Sequence, residues 1–138
     1  MTKQITWIFI LVFGITLAFN CKKKDTTAAT TYTNANYAGA WTVNEHCPAA
    51  ASYVMTITAT GSNGVTLTNF KNGFTVTGTV SNTALTIPLQ SVTSTTLGGP
   101  YKFSGSGTLN SASSLSISYS MTDNSGGNAI NCTDTDTK

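Results

Sequence analysis

The sequence predicts an all-β fold, an eight-stranded antiparallel barrel with up-and-down strand order. Charged residues make up 9% of the chain, against roughly 25% in ordinary globular proteins, and Thr, Ser and Asn take their place. Branched Thr favours the extended backbone of a strand. From Tyr37 onward apolar and polar residues alternate in repeated runs that short turn-forming segments separate, which is typical of strands joined by hairpins.

The first half of this pattern contains four of the predicted strands, at residues 37–47, 53–60, 65–70 and 74–80. The first strand illustrates the alternation, with Trp41 and Val43 on one face and polar residues between them. Asn72-Gly73 lies between the third and fourth strands. It predicts a two-residue type I′ hairpin, because that turn needs positive φ at both central positions.

The second half contains the other four predicted strands, at residues 85–89, 101–109, 115–121 and 129–137. Pro88 cannot donate a hydrogen bond to a neighbouring strand, so it marks an edge, a bulge or a gap. The alternative fold is therefore an open β-sandwich split near Pro88. Gly105 and Gly107 point inward on the sixth strand, where small residues would leave room inside a barrel.

The N-terminal segment has the order of a secretory signal peptide. Lys3 precedes an apolar stretch of about 15 residues, from Ile5 to Phe19, which is short for a membrane-spanning helix. The five residues from Leu17 to Cys21 resemble a lipobox of the looser kind found in some diderm bacteria. The resemblance implies cleavage after residue 20 and acylation of Cys21; the alternatives are an ordinary signal peptide or an uncleaved anchor helix.

The residues after Cys21 are polar and of low complexity, so we expect a flexible tether over residues 21–36 and one folded domain over residues 37–138. The expected location is the cell envelope, as an outer-membrane lipoprotein that faces the periplasm or the cell surface. The protein would then be attached to the membrane through its lipid anchor.

Two cysteines remain for the exported domain, Cys47 and Cys132, and an oxidising compartment favours a disulfide between them. The first and last strands of a closed meander are antiparallel neighbours, so the two cysteines can lie opposite each other. Because paired positions keep a constant sum, this register places Glu45 opposite Asp134 and Val43 opposite Asp136. It also places Trp41 opposite Lys138.

That register brings acidic residues together, and like charges across a strand pair are destabilising. One interpretation is that the strands are shifted or bulged, or that the last residues fray into water. The other is a site for a hard cation such as Ca²⁺, with Glu45, Asp134 and Asp136 as oxygen ligands.

Charge and residue content argue against two classes of function. The folded part is nearly neutral and the chain has no Arg, whereas a nucleic-acid partner needs a basic face. The single histidine, His46, follows Glu45, and neighbouring residues on a strand point to opposite faces. We therefore expect a surface histidine, no catalysis and no cofactor.

Gly39-Ala40-Trp41 resembles the Gly-x-Trp at the start of calycin barrels, the lipocalin and avidin group, in which the Trp closes one end of the barrel. The chain is also similar to small all-β bacterial lipoproteins of undefined activity. Ser104–Gly107 faintly resembles the inhibitory loop of periplasmic lysozyme inhibitors, although it lies within a predicted strand; this resemblance implies a lysozyme-inhibitor-like protein.

Two functions follow as alternatives. The first is a surface or periplasmic interaction module, with a protein partner and a filled barrel. The second is a carrier that holds a small apolar ligand in a hollow barrel. The residues that would line its cavity are Trp41, Tyr53, Met55, Phe103, Tyr119 and Met121.

Overall fold

A computed structural model describes residues 30–138, which form a closed barrel of eight strands in sequence order, each antiparallel to its neighbours. The predicted up-and-down barrel is confirmed and the open sandwich is wrong. The predicted signal peptide, Cys21 and the first part of the tether lie outside the described residues. A short helix, α1 (Asn34–Tyr37), precedes the strands, which are β1 (Gly39–His46), β2 (Ala50–Thr60), β3 (Gly64–Phe70), β4 (Phe74–Ser81), β5 (Ala84–Ser94), β6 (Gly98–Ser111), β7 (Ser114–Asp123) and β8 (Ile130–Thr137).

The interior of the barrel collects every second residue of each strand. Along β1 the side chains of Trp41, Val43 and Glu45 are buried while the residues between them are exposed. The same alternation runs through the other strands, so the apolar side chains form one continuous core and Thr and Ser cover the outer wall.

β1 and β8 close the barrel in the register that the cysteines predicted. Glu45 pairs with Asp134 and Val43 pairs with Asp136. Beyond the paired residues, Lys138 places its Nζ atom 4.5 Å from the centre of the Trp41 ring, a cation–π contact. The alternative in which these strands shift or fray is therefore wrong.

One seam of the barrel is short. β4 and β5 pair only from Thr79↔Thr86 to Ser81↔Ala84. On its other side β5 shifts register against β6 between its residues Ile87 and Gln90, around Pro88. The Gln90 side chain spans the gap: its Oε1 accepts from the Thr77 N–H at 2.9 Å and its Nε2 donates to the Thr77 carbonyl at 2.8 Å. The proline thus marks a bulge inside a closed barrel.

The β3–β4 connection differs from the predicted two-residue hairpin. Phe70 pairs with Phe74, so three residues, 71–73, form the loop, and the register shifts between Thr68 and Phe70. Asn69, Lys71 and Asn72 all have positive φ, between 50° and 61°. The extra bulge residue turns this loop so that the Lys71 side chain reaches back over the barrel.

One end of the barrel, called here the α1 end, is closed by the segment before β1. The Asn34 side chain donates to the carbonyls of Gly61 and Gly64 at 3.1 and 3.0 Å, and Tyr37 is fully buried. The Trp41 Nε1 donates to the Tyr37 carbonyl at 2.8 Å. The folded part therefore begins before residue 37, and the end of the predicted tether packs on the barrel.

Candidate functional site

The residues predicted to line a ligand cavity form the packed core instead. Trp41, Met55 and Phe103 have no exposed surface, Tyr53 and Tyr119 are buried, and Met121 packs against the core while partly exposed. Phe70 stands among them, with ring centres 4.7 Å from Tyr119 and 5.8 Å from Phe103. Edge-on and tilted contacts at these distances are favourable aromatic packing.

The room expected beside the inward glycines is taken by neighbouring side chains. A Cβ atom at Gly105 would lie 2.8 Å from the Tyr119 Cβ and 2.6 Å from the Ser118 carbonyl oxygen, and one at Gly107 would lie 3.2 Å from Leu85. These glycines let β6 and β7 approach closely. Gly105 and Gly107 therefore set the position of Tyr119, and no space for a ligand remains beside either glycine.

Polar groups gather in the half of the barrel opposite α1, called here the disulfide end. Cys47 and Cys132 are bonded there, with Cα atoms 4.6 Å apart, as the strand arithmetic predicted. The bond joins the end of β1 to β8 across the closure of the barrel. It encloses a loop of 85 residues, and long loops give a crosslink a large effect on the unfolded chain, roughly 4 kcal/mol in the chain-entropy description.

Glu45 lies at the centre of this polar group. Its side chain is 1% exposed. The Tyr119 hydroxyl donates to Glu45 Oε1, the Tyr53 hydroxyl lies 3.5 Å from the same oxygen, and the Lys71 ammonium pairs with Oε2. Burial raises the pKa of both tyrosines, and the neighbouring carboxylates raise it further. Both phenols therefore remain protonated donors toward Glu45.

Lys71 is the member of the group that the sequence did not predict. Its backbone N–H donates to the Tyr53 hydroxyl at 3.0 Å, and its Nζ lies 3.3 Å from the Cys47 sulfur. Only 21% of the side chain is exposed. A signal was present in the sequence: this lysine adjoins a hairpin turn that the meander places at the same end as Cys47.

Asp134 and Asp136 follow Cys132 as successive inward residues of β8 and are 2% and 1% exposed. Among the described residues, neither carboxyl group has a hydrogen-bond partner. Burial raises the pKa of Asp134 to about 8, with the charges of Asp136 and Glu45 adding to the effect. Burial alone raises the pKa of Asp136 to about 7. Both groups thus hold a proton more firmly than a solvated aspartate does.

The predicted calcium ligands do not converge as a set. Within residues 30–138, the one group of three metal-type ligand atoms lying within 4.8 Å of one another is Glu45, Cys47 and Cys132. The two sulfurs in it are bonded to each other and are not thiolate ligands. Asp136 pairs with Val43 and Leu115, which offer no oxygen from their side chains. A Ca²⁺ ion with its six to eight oxygen ligands would need a rearrangement of this interior.

Two open depressions lie on the outer wall formed by residues 30–138. The larger, of about 360 Å³, lies over β6–β8 and is lined mainly by serines and by Asn131 and Thr133. The smaller, of about 320 Å³, lies beside His46, whose side chain is exposed on the face opposite Glu45 as predicted. Ser104–Gly107 lies within β6, where Ser104 pairs with Ser120 and the next three residues pair on both sides, so it forms no projecting loop.

In residues 30–138 no helix is long and apolar enough to cross a membrane. No protein-family model matches the chain, and no curated protein matches it. Among solved structures it is similar to a redesigned β-barrel, with a TM-score of 0.57 and 13% identity over 79% of this chain and 98% of that one. At that identity the likeness concerns the fold alone: the chain is an eight-stranded antiparallel β-barrel.

Proposed function

We propose that this protein is a membrane-anchored bacterial lipoprotein whose β-barrel is a non-catalytic interaction module of the cell envelope. The anchor half of the proposal rests on the sequence, in which the apolar leader ends at Cys21 and a polar stretch follows. The module half rests on one observation, the packed interior. The aromatic side chains that a carrier would use to enclose a ligand contact one another instead.

The segment that precedes the barrel reaches it at the α1 end, and this supports a role in presenting the opposite end to a partner. Tyr32 bonds to Asn82 through its backbone N–H, and α1 covers the same end of the barrel. A lipid attached through the preceding residues would hold the protein by its α1 end. The disulfide end, with exposed Leu97 and Ile130, would then face away from the membrane.

The surface suits contacts with a neutral partner. Strand residues that point outward are mostly Thr and Ser, and the outer wall carries few charges. Exposed apolar residues such as Leu97 and Ile130 lie singly near the loops of the disulfide end. A protein partner could contact these loops without any opening of the barrel.

Membrane fractionation tests the anchor. The Cys21→Ala protein should leave the membrane fraction, because a leader without acylated cysteine gives no lipid attachment. The matched control is the Cys47→Ala/Cys132→Ala double variant, which lacks both disulfide cysteines and should stay in the membrane fraction. A Cys21→Ala protein that remains membrane-bound after normal leader cleavage would contradict the anchor.

Titration with an apolar fluorescent probe tests the module against the carrier. Native protein with a packed core should show no saturable binding, since the probe would have to displace Phe70 or Phe103. Saturable binding of one probe per barrel, altered by Phe103→Trp, would contradict the filled interior and favour the carrier.

A further inference from the structure

Lys71 and Glu45 meet inside the mouth of the barrel although 26 residues separate them in the chain. The Lys71 side chain is 21% exposed and that of Glu45 is 1% exposed. Burying two charges removes their hydration, so a buried ion pair stabilises a fold weakly unless further contacts offset the loss. A reaction that converts the pair into a neutral group would remove that cost.

We propose that Lys71 and Glu45 form an autocatalytic amide crosslink, in which Lys71 Nζ attacks Glu45 Cδ and one water molecule leaves. The product is an isopeptide bond between β1 and the β3–β4 loop. It lies beside the Cys47–Cys132 disulfide, so two covalent links would close the same end of the barrel.

The nucleophile is in place because the fold holds it there. The Lys71 backbone N–H is fixed by the Tyr53 hydroxyl at 3.0 Å, and the side chain reaches Glu45 directly. Holding the two groups together makes the step unimolecular, which is worth many orders of magnitude in effective concentration.

The electrophile is polarised from the opposite side. The Tyr119 hydroxyl donates to Glu45 Oε1, and the Tyr53 hydroxyl lies 3.5 Å from the same atom. That oxygen becomes the amide oxygen and carries negative charge in the tetrahedral intermediate. Two preplaced donors therefore act where the charge develops, as in an oxyanion hole.

The proton passes directly from Lys71 Nζ to Glu45 Oε2, because these two atoms are already hydrogen-bonded. This transfer turns the ion pair into an amine and a carboxylic acid, which are the nucleophile and the electrophile of the step. Two of the three ammonium protons then leave with Glu45 Oε2 as water, and the third stays on the amide nitrogen. The step consumes no oxidant, reductant or other reactant.

Peptide mapping of the full-length exported protein tests the proposal. After reduction and proteolysis, mass spectrometry should find a branched peptide that contains Glu45 and Lys71 and weighs one water less than its two parts. Lys71→Arg keeps the positive charge but removes the nucleophilic amine, so the branched peptide should disappear. Lys102→Arg replaces an exposed lysine of the outer wall and should leave the link intact.

Tyr119→Phe tests the hydroxyl donor to Glu45 separately. At a fixed time after synthesis the linked fraction should fall by at least about tenfold, since removing a donor to a developing oxyanion costs factors of this size or larger. Equal linking in this variant would overturn the role of the Tyr119 hydroxyl. Recovery of Lys71 and Glu45 in separate unmodified peptides would overturn the crosslink itself. In that case a Cys47–Cys132 linked peptide in an unreduced digest verifies that the protein was folded.

Discussion

Glu45 and Asp134 face each other across the β1–β8 pair, and both carboxyl groups are buried inside the barrel. Glu45 is bonded by two tyrosines and a lysine, whereas Asp134 has none of these partners among the described residues. The two facing acids are therefore accommodated differently inside the barrel. Glu45 contacts the Lys71 side chain, whereas burial raises the pKa of Asp134.

Stability should fall as pH rises. The pKa values of Asp134 and Asp136 are raised to about 8 and about 7, above that of an aspartate in the unfolded chain. Between the unfolded and the folded pKa values, the folded state therefore binds more protons than the unfolded chain does. The stabilising effect is complete below the unfolded pKa and is lost as pH rises through the folded values. Unfolding free energies from urea titrations should drop by on the order of a few kcal/mol between about pH 5 and about pH 8.5. A flat or rising profile would contradict the buried acids.

Asp136→Leu should stabilise the barrel at alkaline pH. Asp136 pairs with Val43 and Leu115 and has no polar partner within the described part of the chain. Replacing such a group by an apolar side chain of similar size should raise the unfolding free energy by roughly 1–3 kcal/mol at about pH 8.5, and by less at about pH 5.

Asp123→Asn is the matched control for that variant. Asp123 is exposed, and hydrogen bonds from Ser125 and Gly127 lower its pKa. Its replacement should give no gain in stability at alkaline pH. If Asp136→Leu also gives no gain in stability, that result would contradict the burial of Asp136 without a polar partner.

Gly105→Ala should destabilise the barrel where β6 and β7 approach. The added methyl group would meet the Ser118 carbonyl at 2.6 Å and the Tyr119 Cβ at 2.8 Å, and overpacking of this kind costs about 1–3 kcal/mol. Ser104→Ala, one residue earlier and pointing outward, should change the melting temperature little. Equal melting temperatures for both variants would mean that the strands can separate without cost.

Gln90→Ala should loosen the β4–β5 seam. The Gln90 side chain supplies a donor and an acceptor to Thr77, where the strands no longer pair through their backbones. Removing both hydrogen bonds should cost about 1–2 kcal/mol. The Thr77 amide should exchange with solvent faster by hydrogen–deuterium exchange, whereas amides of the β6–β7 pair should not. Unchanged protection at Thr77 would show that the seam is held by other contacts.

Part of this structure followed from the sequence because strand alternation has a period of two and antiparallel partners keep a constant sum. These two rules gave the eight strands, the disulfide and the Glu45–Asp134 register. Lys71 was missed, since positive φ at Asn69 and Lys71 itself redirects the loop and leaves no periodic signal. α1 was missed because four residues are too few to show helical periodicity.

The burial of the β8 acids was underestimated for a different reason. Like charges on facing strands ordinarily move apart or stay in water. Here the disulfide at Cys132 and the contact of Lys138 with Trp41 fix β8 at both ends. Asp134 and Asp136 are consequently held inside whatever their preference for solvent.

Mass spectrometry of the N-terminal peptide from membrane-extracted protein measures whether Cys21 carries the lipid anchor. We expect a mature chain that begins at Cys21 and carries fatty acyl groups on that residue, in the wild type and in the Cys47→Ala/Cys132→Ala variant alike. A mature N-terminus at another residue, or a Cys21 that carries no lipid, would contradict this expectation.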